Sequence, residues 1–303
     1  MSTDFIDSRR WRRTVRNISP KIIIAAIAAI IIYIAISYVY NTVFRADIEV
    51  LALPVSKGDS IVLKLKDNIN ILIDCGSSDI SNVGENVVIP QLAINGVSKL
   101  YGIIVTHDDA DHTNGLKTVI DVYKPAYIFV ADENIENKTL SFIRRNDKYK
   151  NIKIQYIRAG DVLKVDEDTV LTFLYPLRNN ISGLSTNDQS IVVRLDYKNS
   201  SALFTGDLEF KGEKFLMSSR YRTMLDTDLL KVGHHGSKGS TSDNFLEVVS
   251  PEIGIISCPR NDRNGYHPHE ELLARLAKKQ ITILKTGDLG VVKVKSNGNK
   301  WTY

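Results

Sequence analysis

The chain has 303 residues, of which 43% are hydrophobic and 24% charged, a composition typical of a globular protein. Its formal charge of +4 resides in residues 1–44, which hold six basic and two acidic residues. Of the 39 basic and 35 acidic residues in the chain, residues 45–303 therefore keep 33 of each sign, which excludes a globally basic, DNA-attracting domain.

An uncharged apolar stretch of 23 residues, 22–44, follows the basic N-terminus. At about 1.5 Å per helical residue it would span roughly 34 Å, enough for a hydrocarbon core of about 30 Å. The six basic residues all precede it, so the positive-inside rule places the tail, residues 1–21, in the cytoplasm. We predict a single-pass transmembrane anchor in the lipid bilayer of the plasma membrane, with 45–303 as one extracytoplasmic domain. A cleaved signal peptide is the alternative, but no Ala-x-Ala site follows the stretch.

Beyond the apolar stretch, short β-rich runs alternate with turn residues and with helical segments. The pattern predicts strands at 48–54, 60–66, 70–74, 102–106, 127–130, 152–157, 169–175, 190–197, 201–205, 228–232, 253–257, 282–285 and 290–295. It predicts helices at 114–123, 138–147, 242–249 and 269–279. Two β-rich halves with interspersed helices indicate packed sheets flanked by helices, an α/β (α+β) architecture.

The six histidines of the chain fall in three short polar segments: His107 and His112, His234 and His235, and His267 and His269. In the first segment, alternate spacing puts His107, Asp109 and Asp111 on one side of an extended loop, and His112 adds a fourth candidate ligand. Two histidines and three carboxylates in one loop would be poorly stable without a cation, so we predict a metal site. The alternative, a solvated acidic loop, would need no histidines.

Two later segments place polar residues at the ends of predicted strands. Asp207 follows an apolar strand and a glycine, where it fits a carboxylate that bridges two metal ions, although strands often end in Gly-Asp turns. His234 and His235 are adjacent and point in different directions. One of the two is therefore expected to bind metal, and the other to face the substrate or a supporting residue.

The remaining polar segments are candidates for contacts with the substrate. His267 stands on an X-Pro bond before a predicted helix, where it fits a general acid or a substrate contact. A role in the helix-entry loop alone is the alternative for His267 and the favoured interpretation for His269. The polar loop 237–241, with Arg260 and Arg263 opposite, would hold a neighbouring phosphate or form ordinary solvated surface.

Together, and in this order, these segments resemble the metallo-β-lactamase superfamily and, within it, the ComEC-type hydrolase domain attached to the competence DNA-uptake channel. The resemblance covers residues 48–294 and rests on the motifs Gly58-Asp59-Ser60, Ile71-Leu72-Ile73-Asp74-Cys75-Gly76, Thr106-His107-x-Asp109-x-Asp111-His112, Asn187-x-x-Ser190, Thr205-Gly206-Asp207, Gly233-His234-His235-Gly236-Ser237 and His267-Pro268. It implies a four-layer αββα sandwich with a metal site at one edge, here preceded by one transmembrane helix.

The resemblance also implies two divalent metal ions. One would be held by His107 and Asp109, the other by Asp111, His112 and His234 (or His235), with Asp207 bridging. The superfamily usually has His at the position of Asp109, and oxygen-rich coordination suits Mn²⁺ as well as Zn²⁺. Further roles are expected in catalysis for Asp111, His235 and His267, and in substrate binding for Asn187, Ser190, Ser237 and Lys238.

The resemblance favours a phosphodiesterase or nuclease that acts on DNA and is linked to competence. A local basic patch of Lys231, Lys238, Arg260 and Arg263 would then contact the phosphates. The first alternative is a hydrolase of another surface substrate, such as a cell-wall phosphodiester, a phosphorylcholine ester or a small nucleotide. The second is a non-catalytic partner of a DNA-uptake complex.

Overall fold

The computed structural model describes residues 19–43, 48–131, 140–177, 183–260 and 267–303. Arg263, most of the predicted cytoplasmic tail and residue 44 of the predicted anchor lie outside these ranges. The chain divides into two compact units between Ala46 and Asp47. The first unit contains helix α1 (Pro20–Val43), whose side chains are described as far as residue 35. Within the described ranges, no helix combines the length and the hydropathy that a membrane crossing requires.

The second unit is built on two β-sheets. In its described residues the strands are β1 (Ile48–Ala52), β2 (Ile61–Lys64), β3 (Asn70–Ile73), β4 (Gly102–Ile104), β5 (Tyr127–Ala131), β6 (Lys153–Ile157), β7 (Val162–Lys164), β8 (Thr169–Tyr175), β9 (Val192–Tyr197), β10 (Ser200–Phe204), β11 (Leu229–Lys231), β12 (Ile253–Ile256), β13 (Thr282–Lys285), β14 (Val292–Ser296) and β15 (Trp301–Thr302). The first sheet has the order β15-β14-β1-β2-β3-β4-β5-β6, and the second β13-β12-β11-β10-β9-β8-β7.

Helices cover the outer faces of both sheets. The α-helices of the second unit, as far as it is described, are α2 (Ile89–Ile94), α3 (Ala110–Thr113), α4 (Leu116–Tyr123), α5 (Ser141–Arg144), α6 (Phe210–Ser218), α7 (Asp243–Val249), α8 (Glu270–Lys278) and α9 (Thr286–Leu289). One core lies between the sheets, where side chains such as Leu63 and Phe204 are buried. A second packs α2 and α4 on the first sheet, and a third packs α6, α7 and α8 on the second. The fold is therefore a sandwich of two sheets between two helical layers.

Parallel pairing gathers polar loops at the carboxyl ends of strands. Strands β3, β4 and β5 run parallel in the first sheet, and β10, β11 and β12 run parallel in the second. Ligand-binding loops commonly follow the carboxyl ends of parallel strands, since those ends share one edge of the sheet. The loops after β3, β4, β10 and β11 hold Asp74, His107, Asp207 and the histidine pair 234–235.

The predicted strands all correspond to strands of the structure, with ends that differ by a few residues. Strands β7 and β15 escaped prediction because both are short strands at a sheet edge, where β7 buries no side chain and β15 buries only that of Trp301. Helix α6 also went unpredicted, since Gly212 and Glu213 share its buried face with Leu216 and break the apolar pattern. The predicted helix at 138–147 is reduced to α5 in the described residues, with positions 138 and 139 outside them.

Candidate metal centre

Three imidazole rings converge on the carboxylate of Asp207. Its Oδ2 lies 3.2 Å from His112 Nε2, 3.4 Å from His235 Nε2 and 3.7 Å from His234 Nε2. Asp207, His112 and His235 are all buried. Asp207 reaches this point because the chain turns at Gly206, which has a φ of 52°, directly after β10. The carboxylate is therefore placed where it can bridge ligands from both sheets.

The segment from His107 to His112 supplies the first sheet's part of the cluster. The rings of His107 and His112 have centroids 4.1 Å apart, and His107 Nε2 lies 3.7 Å from Asp109 Oδ2. The loop after β3 packs tightly on this segment. A Cβ built on Gly76 would lie 2.3 Å from the carbonyl carbon of Asp111, so only glycine allows the observed approach.

Asp74 fixes the orientation and the tautomer of His112. Its Oδ2 lies 2.8 Å from His112 Nδ1 and accepts a hydrogen bond from the hydroxyl of Thr106 at 2.6 Å, and its Oδ1 accepts the Thr106 N–H. An ionised carboxylate can only accept hydrogen bonds, so Nδ1 of His112 carries the proton. When His112 is neutral, the lone pair therefore stands on its Nε2, which faces Asp207, and is available to a cation.

Hydroxyl groups fix the orientation and the tautomer of His107, also through its Nδ1. Its Nδ1 lies 3.1 Å from Thr106 Oγ1 and 3.4 Å from Ser190 Oγ. The Thr106 hydroxyl already donates its proton to Asp74, so it accepts the Nδ1–H of His107. The lone pair of His107 Nε2 is thus directed into the cluster.

The histidine pair after β11 divides between the interior and a cavity. His235 is buried, and its Nε2 lies 3.7 Å from Asp111 Oδ2. The side chain of His234 is 22% exposed, and its Nδ1 lies 3.1 Å from Glu209 Oε1 and 3.5 Å from Asn187 Nδ2. Both residues have positive φ angles, 47° and 50°, which aim adjacent rings in different directions. A cavity of ≈ 280 Å³ is lined by Lys57, Ser78, Asp111, His234, His235, Pro259 and His267.

The buried atoms of the cluster fit a cation. Among the described residues, His107 Nε2, His112 Nε2, His235 Nε2 and Asp207 Oδ1 are buried without a hydrogen-bond partner. Such orphaned polar atoms are costly in a protein interior unless an ion or water satisfies them. Ligand atoms of Asp59, His112, Asp207 and His235 all lie within 4.8 Å of one another. Imidazole and carboxylate donors together suit Zn²⁺ or Mn²⁺.

The charges of the cluster are coupled. Burial opposes ionisation, but the imidazoles of His112 and His235 hold the pKa of Asp207 well below its usual range. Burial also opposes a charged His112, but the carboxylates of Asp207 and Asp74 raise the pKa of His112 well above its usual value. A metal ion that binds Nε2 of His112 must displace the proton which this raised pKa keeps on the ring. Metal binding is therefore expected to release protons to the solvent.

His267 has the opposite electrostatic setting. Its ring centroid lies 5.2 Å from that of His234 and 6.3 Å from that of His235. Burial and these neighbouring imidazoles lower the pKa of His267 to about 4. At neutral pH the ring is therefore uncharged, which counts against its predicted role as a general acid.

The residues predicted to bind substrate are not brought together in the cavity. Ser190 is fully buried, and its hydroxyl accepts the backbone N–H of Asp207, so it positions that residue and is not open to substrate. Ser237 is buried and its hydroxyl accepts the N–H of Gly239. Lys238 is exposed and lies 3.6 Å from Glu271 of α8. Asn187 and Ser190 do contact the cluster, Asn187 through His234 and Ser190 through His107 and Asp207.

The predicted basic patch was wrong at Lys231. This side chain is 1% exposed, and its Nζ lies 2.6 Å from Asp59 Oδ2. Its position in an apolar strand, after Leu229 and Leu230, was the signal that it points inward. Asp59 and Asp74 stand in motifs of the resemblance but had no predicted role of their own, and Glu209 carried no signal beyond its place two residues after Asp207.

Replacing Asp74 with Asn is expected to lower metal affinity by about 10- to 100-fold, the usual cost of losing a residue that orients a ligand. An amide in place of the carboxylate can present an N–H to His112 Nδ1 and so favour the wrong tautomer. Chelator competition on the full chain measures the change. Asp168→Asn, which alters a surface ion pair with Lys66, is the matched control and should leave affinity unchanged. Equal affinities for all three proteins would contradict this role.

The loop after His235 is fastened by a buried glutamate. Glu213 of α6 is 1% exposed and accepts the backbone N–H groups of Thr241 and Ser242. Arg275 of α8 donates to the carbonyls of residues 238, 240 and 241. The loop 237–242 is thus held from both sides.

Burial raises the pKa of Glu213 to about 7, against the pull of these N–H groups and of Arg275. Because the folded pKa lies above the unfolded value, the stabilisation is complete below about pH 4.5 and is lost as the pH rises through 7. Glu213→Gln cannot titrate at this position. Relative to that variant, the free energy of unfolding of the wild type should fall by up to roughly 3 kcal/mol between these two pH values. Urea unfolding of both proteins from pH 4.5 to 8 tests this. If the two proteins differed in free energy of unfolding by the same amount at every pH, the titration of Glu213 would not be the cause.

Comparison with known proteins places this fold and site in context. The sequence model of the metallo-beta-lactamase superfamily matches residues 53–260. The chain is 30% identical over 222 residues to ComE operon protein 3 of Bacillus subtilis (strain 168), covering 73% of this chain and 28% of that protein. It is 25% identical over 252 residues to competence protein ComA of Neisseria gonorrhoeae, covering 83% of this chain and 33% of that protein. The chain therefore spans about a third or less of these relatives.

Similarity to a solved structure extends over the same region. The crystal structure of Zn(2+)-bound PqqB from Methylobacterium extorquens superposes with a TM-score of 0.51 and 10% identity. The match covers 81% of this chain and 99% of that chain. At this level of identity the likeness extends to the fold alone.

Proposed function

The chain belongs to the metallo-β-lactamase superfamily, and we propose that it is a metal-dependent phosphodiesterase that cleaves DNA. One observation carries the proposal: three Nε2 atoms lie within 3.2–3.7 Å of one oxygen of Asp207. The carboxylates of Asp109 and Asp111 lie at 3.7 Å from His107 and His235, at the border of this cluster. Such a set of ligands suits divalent ions and not a network of hydrogen bonds alone.

Two divalent ions, Zn²⁺ or Mn²⁺, are proposed for the cluster. His107 and Asp109 would hold one, and Asp111, His112 and His235 would hold the other, with Asp207 between them. When bound, such ions activate a water molecule and neutralise charge on the phosphoryl oxygens. Asp74 and Thr106 keep the Nε2 lone pairs of His112 and His107 directed at the cluster.

From the sequence, His234 was the first choice for the metal ligand and His235 for catalysis. For these two adjacent histidines we propose the reverse. Burial of His235 and its two carboxylate neighbours suit a metal ligand. His234 lines the cavity, and its Nδ1 lies 3.1 Å from Glu209 Oε1, a carboxylate oxygen that accepts the Nδ1–H and orients the ring. His234 would therefore protonate the leaving oxygen, and the uncharged His267 would contact the substrate.

The substrate would enter through the cavity beside His234. Lys57 and Ser78 at its wall offer an ammonium and a hydroxyl group to a phosphate. At ≈ 280 Å³ the cavity is close to the lower end of ligand pockets, about 300 Å³. This size favours a second candidate, hydrolysis of a small phosphodiester such as a nucleotide.

Location and partners are part of the proposal. We place the hydrolase unit outside the plasma membrane, tethered to the lipid bilayer through residues 22–44 and with a cytoplasmic N-terminus. The uncharged sequence from residue 22 to the end of α1 and the six basic residues before it support this arrangement. A link to competence is supported by the name of one relative, competence protein ComA, of which this chain matches only a part.

The full chain, loaded with Mn²⁺ or Zn²⁺, should hydrolyse single-stranded DNA and bis-p-nitrophenyl phosphate. DNA cleavage should fall steeply between 50 and 200 mM salt because phosphate contacts release counterions, whereas hydrolysis of a small diester should not. Asp111→Ala and the chelated protein are the inactive controls. Cleavage of the small diester alone would favour the second candidate. No metal-dependent hydrolysis of either substrate would sink the proposal.

A further inference from the structure

A buried ion pair ties the two sheets together beneath the metal cluster. Lys231 ends β11 in the second sheet, and Asp59 lies in the loop between β1 and β2 of the first. Their side chains are 1% and 2% exposed, and Lys231 Nζ lies 2.6 Å from Asp59 Oδ2. Among the described residues Nζ has no hydrogen-bond partner, so this carboxylate oxygen is its one compensating contact there. An ammonium group buried this deeply is tolerated only when it is paired.

The second oxygen of Asp59 faces His235. Asp59 Oδ1 and His235 Nδ1 lie 3.6 Å apart, just beyond hydrogen-bond distance, and neither has a hydrogen-bond partner in the part of the chain that is described. A carboxylate held against an ammonium is ionised and only accepts. The ring nitrogen that faces it is therefore the protonated one, which leaves the lone pair on His235 Nε2.

His112 has the same arrangement, with a shorter distance between the outer carboxylate and Nδ1 of the ring. Asp74 Oδ2 lies 2.8 Å from His112 Nδ1, and the Nε2 of that ring lies 3.2 Å from Asp207 Oδ2. For His235 the corresponding separations are 3.6 Å to Asp59 and 3.4 Å to Asp207. Each ring thus stands between an outer carboxylate and the shared Asp207. Outer carboxylates of this kind orient metal-binding histidines and fix their tautomer.

We propose that Lys231 and Asp59 form a positioning pair for His235, and that Asp59 is not itself a metal ligand. The inference rests on the proposed function, since it assigns His235 to the metal. The position of Asp59 near His112 and Asp207 would also permit direct ligation. Against it, Oδ2 is held by an ammonium, and a cation on Asp59 would stand beside the buried positive charge of Lys231.

Ring-nitrogen NMR of the zinc-loaded full chain, labelled with ¹⁵N-histidine, tests the tautomer in the wild-type protein. The expected signature for His235, assigned with His235→Gln, is a protonated Nδ1 and a metal-bound Nε2. Zinc on Nδ1, or a protonated Nε2, would overturn the inference whether or not any variant folds. A chain that binds neither zinc nor manganese would overturn this inference and the proposed metal dependence together.

Zinc affinity of the variants separates positioning from ligation. Lys231→Met and Asp59→Asn are each expected to weaken zinc binding by about 10- to 100-fold, and their double variant by no more than Asp59→Asn alone. Lys231→Arg, which keeps the charge, should recover part of the loss. Lys66→Met, at the surface pair with Asp168, should bind as the wild type does. If wild type binds zinc and Lys231→Met binds it equally well, the positioning role is wrong and the proposed function stands.

Discussion

Replacing Asp207 with Asn is expected to abolish high-affinity metal binding in the full chain and, with it, phosphodiester hydrolysis. The substitution keeps the size of the side chain but removes the charge on which three imidazoles converge. Losing a residue that orients a ligand typically costs 10- to 100-fold in metal affinity, so loss of the shared carboxylate should exceed about 100-fold. Metal content by elemental analysis and hydrolysis of bis-p-nitrophenyl phosphate measure the two effects.

Asp188→Asn is an informative control for Asp207→Asn. Asp188 is also buried, but its Oδ1 accepts the backbone N–H groups of Glu209 and Gly212 and lies outside the cluster. It should lower thermal stability, because an amide replaces a carboxylate that holds the start of α6, while retaining bound metal. If Asp207→Asn kept its metal and Asp188→Asn lost it, the cluster would not be the binding site.

The parts of the site that could be predicted from sequence are those with a dense local signal. Two histidines and three aspartates within six positions, after an apolar strand, pointed to His107–His112 without any knowledge of the fold. The four-layer architecture followed from the resemblance, and the two sheets with helices on both faces agree with it. The polar segments of the site come together because each follows the carboxyl end of a parallel strand. The pattern of strands in the sequence also places these segments at strand ends.

Contacts between distant single residues could not be predicted in that way. Asp59 and Lys231 are separated by 172 positions, and they pair only because the loop before β2 of the first sheet meets β11 of the second. Glu209 and His234 likewise meet only because β10 and β11 are neighbours in the sheet. Ser190 was predicted as a substrate contact from its place in a motif, and burial by the fold turned it into a support for Asp207.

The proposed roles of His235 as metal ligand and of His234 as proton donor also depend on which of the two rings is buried. Two adjacent histidines leave the choice of ligand open, because nothing local distinguishes them. In the folded chain the turn at 234–236 sends His235 into the interior beside Asp59 and leaves His234 at the cavity wall beside Glu209. The assignment of His234 to proton transfer therefore depends on tertiary contacts, and it makes the second strong prediction.

His234→Gln is expected to leave metal content intact and to lower kcat for DNA cleavage by about 10²- to 10⁴-fold, the usual contribution of a general acid. Its Nε2 lies 3.7 Å from Asp207, farther than those of His112 and His235, so the remaining ligands should still hold the metal. Glutamine retains hydrogen-bonding groups for Glu209 and Asn187 but cannot deliver a proton. Metal analysis and single-turnover cleavage of DNA separate binding from chemistry.

The leaving group makes this prediction specific. The alkoxide released from DNA needs a proton, whereas p-nitrophenolate departs without one, so His234→Gln should slow bis-p-nitrophenyl phosphate hydrolysis far less than DNA cleavage. His269→Gln is the matched control, since His269 Nδ1 accepts the N–H of Lys238 and its ring lies next to His267 and not next to Asp207. Equal losses on both substrates would instead make His234 a ligand, and the metal analysis would then show depletion.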